Sequence, residues 1–450
     1  MPAVFGDGLQ IDWHCTPLEA LAQWPADRPV FLMHSGRFDP RWSRYSVLAQ
    51  PDAAIRFNGQ HTEHLGLDHL PTANWQHSPM PDLRTALADD AGRSLWLGYL
   101  GYDTARWIEH LPHGPADDRG WPIMQFERCP GWLVYDGLTQ TWAAHGSYAE
   151  TGPPALADPP PPPQSAPGFI AGLPHPLQTR TAYEAAVQRV LDYIAAGDVF
   201  QVNLTQRFTS TFAGNPRALF AALAQVSPAW YGCYGELTRF SNTEPTRAIA
   251  STSPELFLET DHQGGVITRP IKGTRPCTVP AETLRDSEKD AAELNMIIDL
   301  MRNDLGRVCA YGSVKVTQPR TIESHPTVHH GVATVAGRLH PTKDNIDLLR
   351  ATMPGGSITG APKIRAMQII DELEPVRRGP YCGTIGMIHG QAMCMNIAIR
   401  TLLTQTPRDG SQGRVDFAVG GGIVADSTPA DEYDETLAKA RAMMDALGAK

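Results

Sequence analysis

No block of five or more Lys and Arg residues occurs in this 450-residue chain, whose formal net charge is −10. A nucleic-acid groove needs a basic stripe, so that class of partner is set aside. No run of 18 apolar residues is present, which excludes a helical membrane span. Met1 to Gln10 shows neither a basic n-region nor an apolar h-region, so no signal peptide is expected. The seven cysteines, at 15, 129, 233, 277, 309, 382 and 394, are an odd number and never lie closer than twelve residues apart. That spacing excludes the usual zinc motifs and argues against a disulfide framework, and we expect a cytoplasmic protein. An anionic small substrate stays open, provided that local cations or a metal hold it against the global charge.

What is present divides unevenly. Residues 151–168 contain the run Pro159 to Pro163, which removes backbone donors and favours extended chain. We read it as a linker between an N-terminal region (1–150), rich in tryptophan, and a region (169–450) that carries most motifs. A proline-recognition motif is the alternative reading of that run. Thr181-Ala-Tyr-Glu184 reads as a capping box opening a helix, with Gly197 as its stop. In the strand that follows, Phe200, Val202 and Leu204 alternate with Gln201, Asn203, Thr205 and Arg207, placing four polar residues on one face. That face is either wet or the floor of a pocket. Further helices are expected over Ser287 to Val308 and from Thr428-Pro429 towards Leu447. With many short β-branched runs between them, the expected fold class is α+β, with large and mostly antiparallel sheets.

Three constellations carry chemistry. In a hairpin of Pro254–Thr260 and Val266–Thr274, Glu255 pairs with about Pro270, making Lys272 its diagonal neighbour, roughly 7–8 Å away. The plain alternative is a surface ion pair, worth under about 1 kcal/mol. On the last helix, Glu432, Glu435 and Lys439 stand at i, i+3 and i+7, within about 60° of one another. Two such carboxylates suit Mg²⁺, although for the helix taken alone a solvated face with a Glu435–Lys439 pair is the better reading of the spacing. Upstream, Gly420-Gly-Gly422 permits close backbone approach. The third is Pro354-Gly-Gly-Ser-Ile-Thr-Gly-Ala-Pro-Lys363, which exposes N–H groups ahead of a helix but is no P-loop, since no GKS/T follows. A simple helix-entry loop is its alternative.

In their order along the chain these segments resemble the chorismate-utilising family, which includes anthranilate synthase component I, aminodeoxychorismate synthase component I and the isochorismate and salicylate synthases. The resemblance rests on Gly197 to Phe208, Ser253-Pro-Glu255, Pro270-Ile-Lys-Gly-Thr274, Lys289 to Gly306, Pro354 to Lys363, Ile399-Arg-Thr401 and Gly420 to Lys439. It covers about residues 180–445 strongly. It implies a two-sheet core with helices packed outside. It also implies Mg²⁺ held by Glu293 and Glu435 with Glu432 nearby, and a substrate enolpyruvyl carboxylate held by Arg400 and Lys439. Gly420, Gly421, Gly422, Ser357, Thr359, Gln201 and Thr274 would cradle the rest of chorismate, with His330 near the reacting ring. A structural imidazole is the alternative for His330.

Two positions choose among the family's branches. Isochorismate-forming members carry lysine where this chain has Gln201, and a glutamine cannot activate water. At Lys272 the anthranilate branch usually has alanine and the aminodeoxychorismate branch lysine. The resemblance therefore implies amination of chorismate on the way to p-aminobenzoate and folate, with Lys272 as nucleophile and Glu255 as general acid. No Gly-x-Cys-x-Gly elbow occurs, the nearest string being Tyr231-Gly-Cys-Tyr-Gly235, so a separate glutamine amidotransferase subunit is the expected ammonia source. Phe31 to Ser46, with Ser35, Arg44 and Tyr45, resembles the tryptophan pocket of relatives; a filled core is the alternative. Departures from the family pattern are Met387 for a tyrosine, Cys277 for an arginine and Asn396 for a small residue. The competing readings are an anthranilate synthase component I and a non-catalytic chorismate- or partner-binding subunit.

Overall fold

The computed structural model describes residues 8–67, 75–111, 114–156, 168–325, 328–409 and 411–449. The proline run 159–163 lies outside them. Two large sheets dominate, one of 13 strands and one of 11 among the described residues, and every pairing between their strands is antiparallel. The expected α+β class with a two-sheet core is what the chain adopts.

Three apolar layers explain the stacking. One cluster is shared by the two sheets and joins Phe31, Val47, Cys233 and Ile249 of the first to Leu97, Ile385, Met387 and Cys394 of the second. A second covers the outside of the first sheet with the helices Pro216–Val226 and Pro429–Ala446. The third covers the outside of the second sheet with the helices Glu288–Gly306 and Lys363–Leu373. Burying apolar side chains on both faces of each sheet is the main stabilising term, at about 25 cal/mol per Å² of area removed from water.

Both sheets draw strands from both sides of residues 151–168. Phe31–His34 pairs with Tyr231–Leu237 in the first sheet, and Leu95–Leu100 with Thr384–His389 in the second. The change in composition at the linker is therefore not a break in either sheet.

The strand Gln201–Gly214 is flanked by Gly413–Ile423 along its length, with Asn203 opposite Gly422 and Thr205 opposite Gly420. Its polar face is covered rather than wet, since Gln201, Asn203, Thr205 and Arg207 are all buried. The helix before it is capped two residues earlier than the sequence suggests. Thr179 caps Arg180–Ala195 by accepting from the Ala182 N–H, and Glu184 pairs with Arg180 instead of closing a box with Thr181. Ser287 and Thr428 cap the helices Glu288–Gly306 and Pro429–Ala446 by accepting from Asp290 and Asp431 N–H. No described helix is long and apolar enough to cross a membrane.

Candidate active site

The hairpin forms close to the expected register, with Leu256 opposite Arg269. Beyond Pro270 the chain continues as Ile271–Pro276 and pairs with Val328–Arg338 instead, through a register shift between Ile271 and Thr274. Gly273 sits inside that irregularity at φ +80°, and a Cβ there would stand 2.7 Å from Leu284 and 2.9 Å from Asp290. Only glycine meets both demands, and a bulge of this kind re-aims the neighbouring side chain. Lys272 is thereby turned towards the Gly413–Ile423 strand. Its Nζ is 2.9 Å from where a Cβ of residue 422 would be, and the Gln201 carboxamide lies 3.2 Å from the same point.

Each of the three consecutive glycines thus admits something specific. A Cβ at Gly420 would strike the Leu204 carbonyl at 2.5 Å, and one at Gly421 would meet Glu432 Oε2 at 2.7 Å and Glu435 Oε1 at 3.5 Å. The last helix can therefore bring its carboxylates against the strand. Lys439 donates to the Gly420 carbonyl at 2.8 Å and pairs with Glu435 at 2.7 Å. Glu293, on Glu288–Gly306, lies within electrostatic reach of both Lys272 and Glu435.

The charges perturb one another as desolvation and proximity require. Burial pushes the Glu255 carboxyl up to about 7, although Ser357, Lys272 and the Ile271 N–H oppose the rise. Burial lowers the Lys272 ammonium and Lys439 adds to this, while Glu293, Glu255 and Glu435 work against it. Glu293 and Glu432 are raised by burial. Burial acts on Glu435 in the same sense, but Lys439 and Lys272 hold it below the ordinary range. A lysine made less basic within electrostatic reach of a carboxyl that still holds part of its proton at neutrality is a perturbed pair of the kind found at functional sites.

Unpartnered groups mark where a ligand fits. Both carboxamide atoms of Gln201 are buried with no hydrogen-bond partner among the described residues. Arg400, at φ +51°, is brought down to about 10 by burial, and no carboxylate among the described residues pairs with it. His330 Nδ1 lies 2.9 Å from Thr274 Oγ1, and its Nε2 is buried and unpaired. Burial, reinforced by Arg400 and His325, holds this imidazole well below its ordinary pKa and therefore neutral. A neutral ring of this kind orients a ligand by hydrogen bonding and carries no resting charge.

Other expected residues are used locally. The Thr359 hydroxyl donates to Gly355 O at 2.9 Å within its own turn, and Lys363 is taken up by Asp304 and Thr352 O. Ser35 Oγ donates to Tyr45 O at 2.6 Å, while the Arg44 guanidinium is held by Asp136 and stacks 4.8 Å from the Tyr45 ring. Met387 is part of the apolar layer between the sheets. Asn396 bridges that layer, donating to Tyr231 O of the other sheet at 2.9 Å and accepting from Ile385 N–H.

No three His, Cys, Asp or Glu side chains among the described residues converge as a full metal-ligand set. The donors nevertheless fit Mg²⁺, which binds through one or two carboxylates and keeps its other positions for water and substrate oxygens. Glu293 and Glu435 could supply such a pair, each within electrostatic reach of the other and of Lys272.

Carboxylates and an amine gathered at one glycine strand of a two-sheet body, with an unpaired guanidinium within reach of His330, fit an enzyme that binds a small anion. A sequence profile for chorismate binding enzymes matches residues 30–445, and the chain belongs to this family of enzymes. It is 36% identical over 443 residues to aminodeoxychorismate synthase component 1 of Klebsiella aerogenes, covering 93% of each chain. It is 40% identical over 375 residues to anthranilate synthase component 1 of Thermus thermophilus, covering 78% of this chain and 77% of that one. Among solved structures it resembles anthranilate synthase component I from Streptococcus pneumoniae, with a TM-score of 0.73, 27% identity, and coverage of 98% and 99%.

Proposed function

We propose that this enzyme aminates chorismate to 4-amino-4-deoxychorismate through a covalent adduct on Lys272, with ammonia from a separate glutamine amidotransferase subunit. The observation that carries the reading is the Lys272 amine, made less basic by desolvation within electrostatic reach of Glu255 and Glu293 and turned towards Gly422 and Gln201. In its neutral form, Nζ attacks ring C2, both ring double bonds shift (C1=C2 to C1=C6 and C5=C6 to C4=C5), and the C4–O bond breaks. Glu255, raised to about 7 and so still partly protonated at neutrality, gives its proton to the departing hydroxyl, which leaves as water. Ammonia then adds at C4, both double bonds return to their starting positions, and the C2–N bond breaks. The proton lost from the new amine returns the system to its starting charge.

The remaining residues orient the substrate. Arg400 and Lys439 are the counter-charges for its carboxylates, Gln201 and His330 offer uncharged hydrogen bonds, and Ser357 steadies Glu255. Glu293 and Glu435 would hold Mg²⁺, with Glu432 behind them; the ion supplies charge neutralisation and orientation for the ring carboxylate. In this reading residues 169–450 form the catalytic region, and residues 1–150 complete its sheets. The high identity to an anthranilate synthase component 1 favours one competing product, anthranilate.

Incubation of the purified chain with chorismate, Mg²⁺ and excess ammonia, followed by mass spectrometry of the products, tests the proposal. The expected product is aminodeoxychorismate, with chorismate-derived mass trapped on Lys272 when ammonia is withheld. Anthranilate would overturn the branch, and no consumption with or without an amidotransferase would favour a binding role.

A further inference from the structure

The pair Glu374 and Arg378 lies outside the catalytic constellation, yet it bonds to both elements that frame it. Both residues are buried, and they are joined by two hydrogen bonds, Nε to Oε2 at 2.9 Å and Nη2 to Oε1 at 2.6 Å. Arg378 Nη1 donates to Ile358 O at 2.9 Å, on the turn that carries Ser357, and Nη2 donates to Asn203 O at 2.7 Å, two residues from Gln201. Glu374 in turn accepts from the Thr205 N–H and hydroxyl at 2.9 and 2.8 Å. The guanidinium face rests on the Tyr102 ring, 4.4 Å from its centroid. One side chain thus fixes the distance between the Gly356–Ile358 turn and the Gln201–Gly214 strand. The planar fork of arginine meets two carbonyls and a carboxylate together, which the ammonium of lysine cannot do.

We infer that Arg378 is a positioning residue for the proposed acid, acting through the turn that presents Ser357 to Glu255. The inference rests on the role proposed for Glu255. A purely structural pair would leave the chemistry per folded molecule unchanged, whereas a positioning residue alters the orientation of the group it serves.

The test combines Arg378→Lys, which keeps the charge, with Ser357→Ala and the double variant. Steady-state kinetics of chorismate consumption should show kcat falling about tenfold for each single variant, with KM moved less than about twofold. The double variant should be no slower than the worse single one, because both changes disable the same contact. Hydrogen exchange on the full chain supplies a readout independent of turnover. Amides 356–360 should exchange about tenfold faster in Arg378→Lys, with the Glu288–Gly306 helix unaltered. Multiplicative kinetic losses, or unchanged protection of the turn, would overturn the inference. Failure of the wild-type enzyme to consume chorismate would instead count against the proposed reaction, leaving exchange to judge Arg378.

Discussion

Residues 201 and 205 project from the same face of one strand, four positions apart, into opposite circumstances. At Thr205 every polar group has an owner: backbone and hydroxyl both reach Glu374, and Glu374 is closed off by Arg378. At Gln201 the carboxamide is fully buried with neither atom bonded, beside an amine made less basic by burial. Leaving a buried polar group unpaired costs about 1–3 kcal/mol, so the free enzyme carries strain at one end that it avoids at the other. The difference separates an anchor, satisfied within the fold, from a site satisfied by what enters it.

The sharpest way to break the comparison is at the acid. Glu255→Gln removes a proton donor without changing shape, and kcat at pH 7 is expected to fall by about 10²–10⁴-fold with the fold retained. Activity within a few-fold of wild type would remove Glu255 from the chemistry. The anchor should answer in the other currency. Glu374→Ala leaves Arg378 buried without its carboxylate, and urea unfolding should show a loss of about 3–5 kcal/mol. A loss below about 1 kcal/mol would mean that solvent reaches the guanidinium.

How far these roles were legible beforehand depends on whether they are local or long-range. The helices beginning at Ser287 and Thr428, the hairpin around residues 256–269 and the i, i+3, i+7 face of the last helix follow from short spacing, and the structure forms them. Lys272, by contrast, leaves the hairpin to pair with Val328–Arg338. The convergence of Lys272, Gln201 and Gly422 joins three strands far apart in sequence, and only the family resemblance pointed to it. The Glu374–Arg378 anchor went unread altogether. An i,i+4 Glu–Arg pair usually signals a solvated helix face, and nothing local says that the Thr205 strand covers it. Thr181-Ala-Tyr-Glu184 misled in the opposite direction, because Thr179 two residues earlier offers an equally good cap and leaves Glu184 to Arg180.

Acidity provides a third comparison, smaller than the first two. The folded Glu255 binds its proton up to about pH 7, whereas an ordinary glutamate releases it near 4.5. Between those values the native state holds a proton that the unfolded chain has lost, so stability from this group is complete below about 4.5 and drains away as pH rises to about 7. Glu127, raised to about 7 by burial, acts in the same window, so the comparison must be with a variant. Without Mg²⁺, Glu255→Gln should gain on wild type by up to about 3 kcal/mol between pH 5 and pH 8. A constant gap across that range would mean that the carboxyl titrates normally.

The smallest expected effect isolates the unpaired end of the strand. Gln201→Leu keeps most of the volume and removes two orphaned polar atoms, so the free enzyme should be stabilised by about 1 kcal/mol. The same change removes hydrogen bonds that the substrate would make, raising KM for chorismate several-fold. Stability and affinity then move in opposite directions from one substitution, which no residue of the anchor can do. Were Gln201→Leu to lose stability instead, its carboxamide would already be satisfied in the free enzyme, and the contrast with Thr205 would dissolve.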